Sequence, residues 1–364
     1  MNTDYKVTKY KVTSYELRVA SFIFVTRNAQ RATRNAYFVS TRICFLIAIL
    51  VNLCVPVSVV SADSGSDYVE IVDDVGRKVR VKKYPDRIVS LAPSNTEILF
   101  ALGLGHKVVG VTSYCNFPPA AEAKEKVGGF SNPDIEKIIA LAPDLLLADS
   151  LCYKEGIVDK LEGKGLSTIV LAPETLTGVL RTIQMVGTVT GEQQRTACLI
   201  TDMEARIGVV TKTVSKVGYT KKPKVLYVTW HDPVWAAGSG ILIHDLIERA
   251  GGSNVAADMK GWRILSLEEV LNRNPSVIIV SSGHGKAKGL PFTWTQNEPR
   301  LSNVDARKFG RVYDVDADLA GRFGPRIVEV LEQLAHYFHP DVFGEGDYSA
   351  TNDTNGHEWT ESTE

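Results

Sequence analysis

The chain has 364 residues, 44% of them hydrophobic and 23% charged, enough apolar material for substantial cores and a length that favours two domains over one. Its 41 basic residues against 42 acidic ones leave a formal net charge of -1. So even a balance supplies no global field for nucleic acid or anionic lipid, and any partner must be recognised locally.

Residues 1–41 are basic and rich in Tyr, Thr and Asn, without apolar periodicity, which is long for the leader of an export signal. A start at Val39 gives a signal of conventional length. The stretch from Ile43 to Val60 is nearly all apolar, follows Arg42 and ends in Val60-Ser61-Ala62, small residues that suit signal peptidase. Export is the expectation, to the periplasm or the outer face of the cytoplasmic membrane. An uncleaved anchor is the alternative, because the run approaches spanning length; a buried core helix is the third reading. Leu53 stands before Cys54, where a lipoprotein signal needs a small residue. Residues 1–62 are therefore taken as an extension with a signal or anchor.

A polar linker, Asp63-Ser64-Gly65-Ser66-Asp67, leads into two short strands from Tyr68 to Val81, reversing at Asp73-Asp74-Val75-Gly76. Residues 63–85 form this linker and opening hairpin. Arg87 to Leu91 reads as a strand. Ser94 and Glu97 have the spacing of a capping box for a helix bearing Ile98, Leu99 and Leu102. Strand and helix signals then alternate: Val108–Val111, a helix around 135–141, Asp144–Ala148, a helix around 157–161, and Thr168–Leu171. Such alternation predicts a parallel sheet flanked by helices, with residues 86–190 as a first lobe. From 191 to 217 the chain is polar, with Ala197, Ile200, Met203 and Ile207 at helical spacing, which predicts one long linking helix. Residues 218–343 repeat the alternation as a second lobe, with strands at Val225–Val228, Val277–Val280 and Arg311–Val315 and helices at 242–250 and 327–338. The acidic, polar residues 344–364 read as a disordered tail.

An internal repeat underlies the two lobes. Ile135-Glu136 through Pro143-Asp144 to Leu147 parallels Leu267-Glu268 through Pro275-Ser276 to Ile279, each a helix, a proline stop and an apolar strand. Three cysteines, Cys115, Cys152 and Cys198, follow the signal, an odd number that cannot pair fully. A Cys115–Cys152 disulfide and buried free thiols both remain open.

No phosphate-binding loop with Lys, paired-Cys metal spacing or Gly-x-Ser-x-Gly elbow is present, so the sequence points to binding rather than catalysis and offers no metal site or cofactor of its own. Between two lobes, the cleft is the favoured ligand site.

The residues resemble a known family. Arg87-Ile88-Val89-Ser90-Leu91-Ala92-Pro93-Ser94-Asn95-Thr96-Glu97, Val109-Gly110-Val111-Thr112-Ser113-Tyr114 with Pro118-Pro119, Gly251-Gly252, Ser266-Leu267-Glu268-Glu269-Val270 and Gly324-Pro325-Arg326 look like the cobalamin and iron-siderophore class of periplasmic substrate-binding proteins of ABC importers. The Thr112 to Pro119 segment resembles its cobalamin-binding branch. The resemblance covers roughly residues 68–340. It implies a class III architecture: two α/β lobes, each with a central parallel sheet, joined by one long rigid helix. It also implies capture of cobalamin as the transported ligand and delivery to an ABC permease dimer with its ATPase.

The aromatic pocket positions of that family match Tyr114, Phe130, Trp235 and Trp262, with Asp318 and Arg322 as polar groups nearby. A corrinoid is wide and apolar with a fringe of amides, so aromatic platforms with scattered donors suit it. Phe130 stands where cobalamin binders often carry Trp. Tyr114 and Trp235 are expected in loops after strands, as are His231 and His284, either of which is a candidate axial ligand of cobalt or haem iron. Glu136 and Glu268, equivalent in the repeat, match the family's permease-docking glutamates. Haem or a ferric siderophore is the rival ligand, and a siderophore would call for several arginines where only Arg322 and Arg263 are candidates. A tetrapyrrole metal chelatase is the rival from another class, opposed by the export signal; an anchored surface receptor is a third.

Overall fold

A computed structural model describes residues 67–217, 222–282 and 289–344. The signal or anchor run, His284 and the tail beyond residue 344 lie outside the described residues. The opening hairpin pairs Tyr68–Val72 (β1) antiparallel with Lys78–Lys82 (β2). Its two aspartates do more than reverse the chain. The fully buried Asp73 carboxylate accepts from Arg77 Nε and Nη2 at 2.9 and 2.8 Å and from the backbone N–H of Val75, Arg77 and Val170. Asp74, equally buried, accepts from Ala172 N, Thr182 Oγ1 and Arg181 Nη2. These bonds fasten the hairpin to the first lobe.

That lobe runs Ile88–Ser90 (β3), Pro93–Ala101 (α1), Val108–Val111 (β4), Ile135–Ala140 (α2), Leu145–Ala148 (β5), Ser150–Lys154 (α3), Ile157–Glu162 (α4) and Thr168–Val170 (β6). The strands form an all-parallel sheet in the order β4-β3-β5-β6, as the alternation predicts. Both faces are covered, which explains the unbroken apolar runs. Val89, Leu146 and Val170 pack outward with Ile138, Val158 and Leu161, while Ile88, Leu145, Leu147 and Ile169 pack inward with Ile98 and Leu99. The expected capping box is absent. Helix α1 begins on Pro93 at its first turn, with Ala92 as an N-cap that makes no side-chain bond, and Glu97 turns into the interior.

Leu176–Thr190 (α5) and Gln193–Val214 (α6) follow. Sequence periodicity does not reveal α5, because its threonines and glycines disfavour a helix by propensity alone. Gly187 is there for contact: a Cβ would lie 1.9 Å from Thr196 Oγ1, so only glycine lets the two helices approach. Helix α6 is shorter than the predicted 191–217 but still spans about 33 Å at its 22 residues. Its buried stripe is Thr196, Leu199, Met203, Ile207 and Val210, whereas Ala197 faces solvent.

The second lobe runs Lys224–His231 (β7), Val234–Ala237 (β8), Leu242–Arg249 (α7), Ser253–Asn254 (β9), Trp262–Leu265 (β10), Leu267–Arg273 (α8), Val277–Ser282 (β11), Leu290–Asn297 (α9), Asp305–Lys308 (α10), Val312–Asp316 (β12), Ala317–Ala320 (α11), Ile327–Phe338 (α12) and Pro340–Phe343 (α13). Strands β9, β7, β11 and β12 are parallel, but β8 and β10 extend the sheet antiparallel beyond β7, in the order β10-β8-β7-β11-β12. Only Asp232 and Pro233 separate β7 from β8, and so short a link returns the chain beside itself antiparallel.

One apolar core runs between the two sheets. The inward faces of β3, β5 and β6 and of β7, β11 and β12 share it with α5, α6 and α12 through residues such as Ile183, Met203, Tyr227, Ile279 and Leu331. The internal repeat is also physical. Asp134 caps α2 by accepting from Lys137 N at 3.0 Å, and Ser266 caps α8 by accepting from Glu269 N at 3.1 Å. Ala142 and Asn274 then take φ of 45° and 42° before Pro143 and Pro275. Asp144 Oδ1 accepts from Arg87 N and Ser276 Oγ from Lys224 N, each at 2.9 Å, pinning β5 to the start of β3 and β11 to the start of β7.

Replacing Asp73 by Ala should lower the free energy of unfolding by roughly 3 kcal/mol, since it removes one of the two carboxylates on Arg77 and the acceptor of three N–H groups, one buried and two part-buried. Urea denaturation followed by circular dichroism measures this, and a change under 1 kcal/mol (about the net worth of one ordinary hydrogen bond) would mean that the hairpin contributes little.

Candidate ligand-binding site between the lobes

The first wall grows from the loop after β4. Ser113 donates its backbone N–H to Gly128 O at 2.8 Å, and Val111 bridges to Lys126, so the loop doubles back and lifts Tyr114 to the surface. The Tyr114 ring is 56% exposed and lies 5.0 Å from that of Phe130, tilted by 56°. Cys152 Sγ donates to the Phe130 carbonyl at 3.1 Å and so steadies this segment. Burial, helped by Asp149, pushes the Cys152 thiol up to about 12.

The disulfide reading is overturned. Cys115 and Cys152 are both free: Cys115 bonds Thr96 and Thr112 in the inward core, whereas Cys152 belongs to the outward core of the same sheet. Cys198 is free and exposed.

The second wall is built on strands, not on the loops that the sequence suggests. Trp235 lies on β8 opposite Trp230 of β7 and Ile264 of β10, and Ala237 lies opposite Trp262. Registered partners share a face, so Trp235, Trp262 and Ile264 project on one side of the sheet, while the Trp230 ring, beyond a bulge in β7, lies 4.8 Å from that of His231. Tyr227 and Ala237 on that side belong to the core shared with the first lobe, and the Tyr227 and Trp262 rings are 6.3 Å apart. The three tryptophans are each 38% exposed, and Ile264 is 51% exposed. Such a row is a large apolar surface to leave in water.

His231, at the end of β7, pairs with Val234 of the outward core and therefore points away from that row. Its ring lies 5.4 Å from Trp294 and its Nδ1 is buried without a partner among the described residues. Strand register sets His231 apart from Trp235 and Trp262. No group of three His, Cys, Asp or Glu among the described residues is placed to hold a metal ion.

A charged cluster joins the walls. Glu97 of α1, its side chain 2% exposed, accepts from Arg322 Nη1 at 3.1 Å and from Arg326 Nε and Nη2 at 3.0 and 2.6 Å. Arg322 also pairs with Asp318 at 3.3 Å and reaches the Tyr114 carbonyl at 3.4 Å, and the Arg326 guanidinium sits 3.6 Å over the Phe117 ring. The predicted Asp318, Arg322 and Tyr114 therefore meet. Tyr114 with Phe130 and Trp235 with Trp262 lie on separate lobes, and no ring contact crosses between them among the described residues. Arg263 is exposed beside Trp262. Glu97, Arg326, Phe117, Trp230 and Ile264 escaped the sequence reading. The motifs that end in Glu97 and Arg326 offered a signal for those two residues, whereas the bulge between Val228 and Trp230 breaks the alternation that would have placed the tryptophan.

A family model described as periplasmic binding protein matches residues 88–319. The chain belongs to this family. An uncharacterised ABC transporter substrate-binding lipoprotein of Bacillus subtilis, YvrC, is 34% identical over 281 residues, 76% of this chain and 87% of its own. A vitamin B12-binding protein of Salmonella typhimurium is 28% identical over 255 residues, 69% of this chain and 89% of its own. The solved structure of a periplasmic heme-binding protein from Pseudomonas aeruginosa matches with a TM-score of 0.63 at 26% identity, covering 71% of this chain and 94% of that one. The chain is thus an extracytoplasmic class III substrate-binding protein of an ABC importer, in a family of non-catalytic binding proteins.

Removing the shared carboxylate leaves two guanidiniums facing each other in a buried place. Glu97→Ala should lower the unfolding free energy by roughly 3–5 kcal/mol, the usual cost of breaking a buried ion pair from one side. Denaturant titration of the variant checks this, and wild-type stability would show the cluster to be well solvated.

Proposed function

We propose that this importer component captures a corrinoid, cobalamin in the first instance, between Tyr114 and Phe130 on one lobe and Trp235 and Trp262 on the other. The observation that carries the reading is the half-exposed row of Trp235, Trp262 and Ile264 on the face turned to the first lobe. Flat aromatic surface of this extent suits a wide macrocycle. Charge supports a ligand without net anionic character. Arg322 and Arg326 are already matched by Glu97 and Asp318, so a ferric siderophore or the propionates of haem would find few open cations. The half-buried Asp318, paired with the buried Arg322, supplies a polar partner for side-chain amides. The vitamin B12-binding relative from Salmonella typhimurium points the same way.

Calorimetry of the purified protein against cyanocobalamin, haemin and a ferric hydroxamate should rank cyanocobalamin tightest, with one molecule bound. Trp235→Ala and Trp262→Ala should each weaken it by about 1–3 kcal/mol through lost apolar burial. Clear haemin binding with no cobalamin heat would transfer the assignment to haem.

Glu136 and Glu268 are exposed at the second residue of α2 and α8, and we assign them to permease docking. Equivalent carboxylates on the two lobes suit a symmetric permease dimer that offers a basic cluster to each, and such complementarity sets register and encounter rate. The Glu136→Arg and Glu268→Arg double variant should retain ligand affinity and lose transport in proteoliposomes. Undiminished uptake would reduce both residues to surface charge.

A further inference from the structure

Helices α2 and α8 repeat each other in burial as well as in sequence. Ile138 and Val270 are buried at 0% and 1%, yet the next residues, Ile139 and Leu271, are 41% and 38% exposed. An exposed aliphatic side chain is ordinary on any surface. Two at equivalent places in a duplicated unit, each next to a residue fixed in the core, are not independent accidents of packing. Each also stands three residues after the exposed glutamate of its helix, on the same flank, where side chains are neighbours. The caps at Asp134 and Ser266 and the left-handed Ala142 and Asn274 hold both helices in the same frame.

We infer that Ile139 and Leu271 are paired apolar anchors for the two-fold symmetric permease dimer, each seating in a recess beside the cation that receives Glu136 or Glu268. A surface that meets the same charge-plus-aliphatic pattern twice must itself present two copies of one site, which is what a two-fold dimer provides. Other occupants fit less well. A second copy of this chain brings glutamate against glutamate, and an anionic membrane surface is repelled by the same carboxylates. The cation gives orientation, whereas the desolvated aliphatic contact holds the complex once formed, as central apolar residues do within a charged rim. This inference rests on the docking assignment of Glu136 and Glu268 and adds the apolar half of the contact.

The test uses the full chain and its cognate permease with ATPase in lipid nanodiscs, with binding followed by surface plasmon resonance. The Ile139→Ser and Leu271→Ser double variant should lose about tenfold or more in affinity, chiefly by faster dissociation, in line with apolar anchor residues elsewhere. The loss should be nearly equal at low and high salt, with the melting temperature and ligand affinity of wild type. The Glu136→Arg and Glu268→Arg variant should lose association in a salt-dependent way. Wild-type affinity of the serine variant beside a failing charge variant overturns the anchors and keeps the docking glutamates. Loss in the serine variant alone removes the docking glutamates and overturns the charge-plus-aliphatic pairing. An effect confined to Ile139 or to Leu271 overturns the pairing, and no effect of either double variant moves docking to another face.

Discussion

Glu97 sets the geometry between the lobes. A carboxylate withdrawn from water costs several kcal/mol, and among the described residues this one is compensated by Arg322 and Arg326 of the opposite lobe, so its solvation depends on the lobes staying together. The pairing spans more than two hundred residues of chain, as the separations of 225 and 229 between donor and acceptor show. Beneath it lies the shared apolar core. A wide hinge motion would expose Met203, Tyr227 and Leu331 and unpair the cluster at the same time. Two independent penalties therefore oppose opening. The walls of the site are held in place before ligand arrives, which reduces the ordering cost of binding.

Much of this fold was legible in the sequence because it rests on local pattern. Apolar runs of four residues, such as Leu145 to Ala148, are buried on both faces and could be recognised without knowing their neighbours. The repeat was legible for the same reason, since Pro143 and Pro275 punctuate both units. What escaped depends on contacts distant in sequence. Helix α5 is stabilised by packing on α6 through Gly187, a pairing that propensity cannot express. Ser94 and Glu97 had the spacing of a capping box, but Pro93 starts the helix two residues earlier than that pattern requires, and the distant arginines claim the carboxylate. Strands β8 and β10 were missed because they are short and interrupted, and with them went the fact that Trp235 and Trp262 are strand residues. Register then decided what composition could not: Trp235 and His231, four residues apart, face opposite sides of one sheet.

The lobes are alike and unalike in different places. Where α2 and α8 reach the surface, each half keeps a side-chain cap, a left-handed residue before proline, an exposed glutamate and an exposed aliphatic neighbour. At the proposed ligand site they share nothing of the kind. The first lobe offers a loop with Tyr114 and Phe130, while the second has grown two antiparallel strands that display tryptophans. A duplicated domain under one constraint would have diverged everywhere at a similar pace, so the contrast calls for two constraints. The proposed symmetric partner would preserve the duplicated surface, because a change in one lobe mismatches one half of the dimer. An asymmetric ligand does the reverse: it touches each lobe with a different edge, and identical walls would leave one edge unmatched. The division of labour between preserved outer helices and divergent inner walls is therefore what the two proposed partners, one symmetric and one not, would produce.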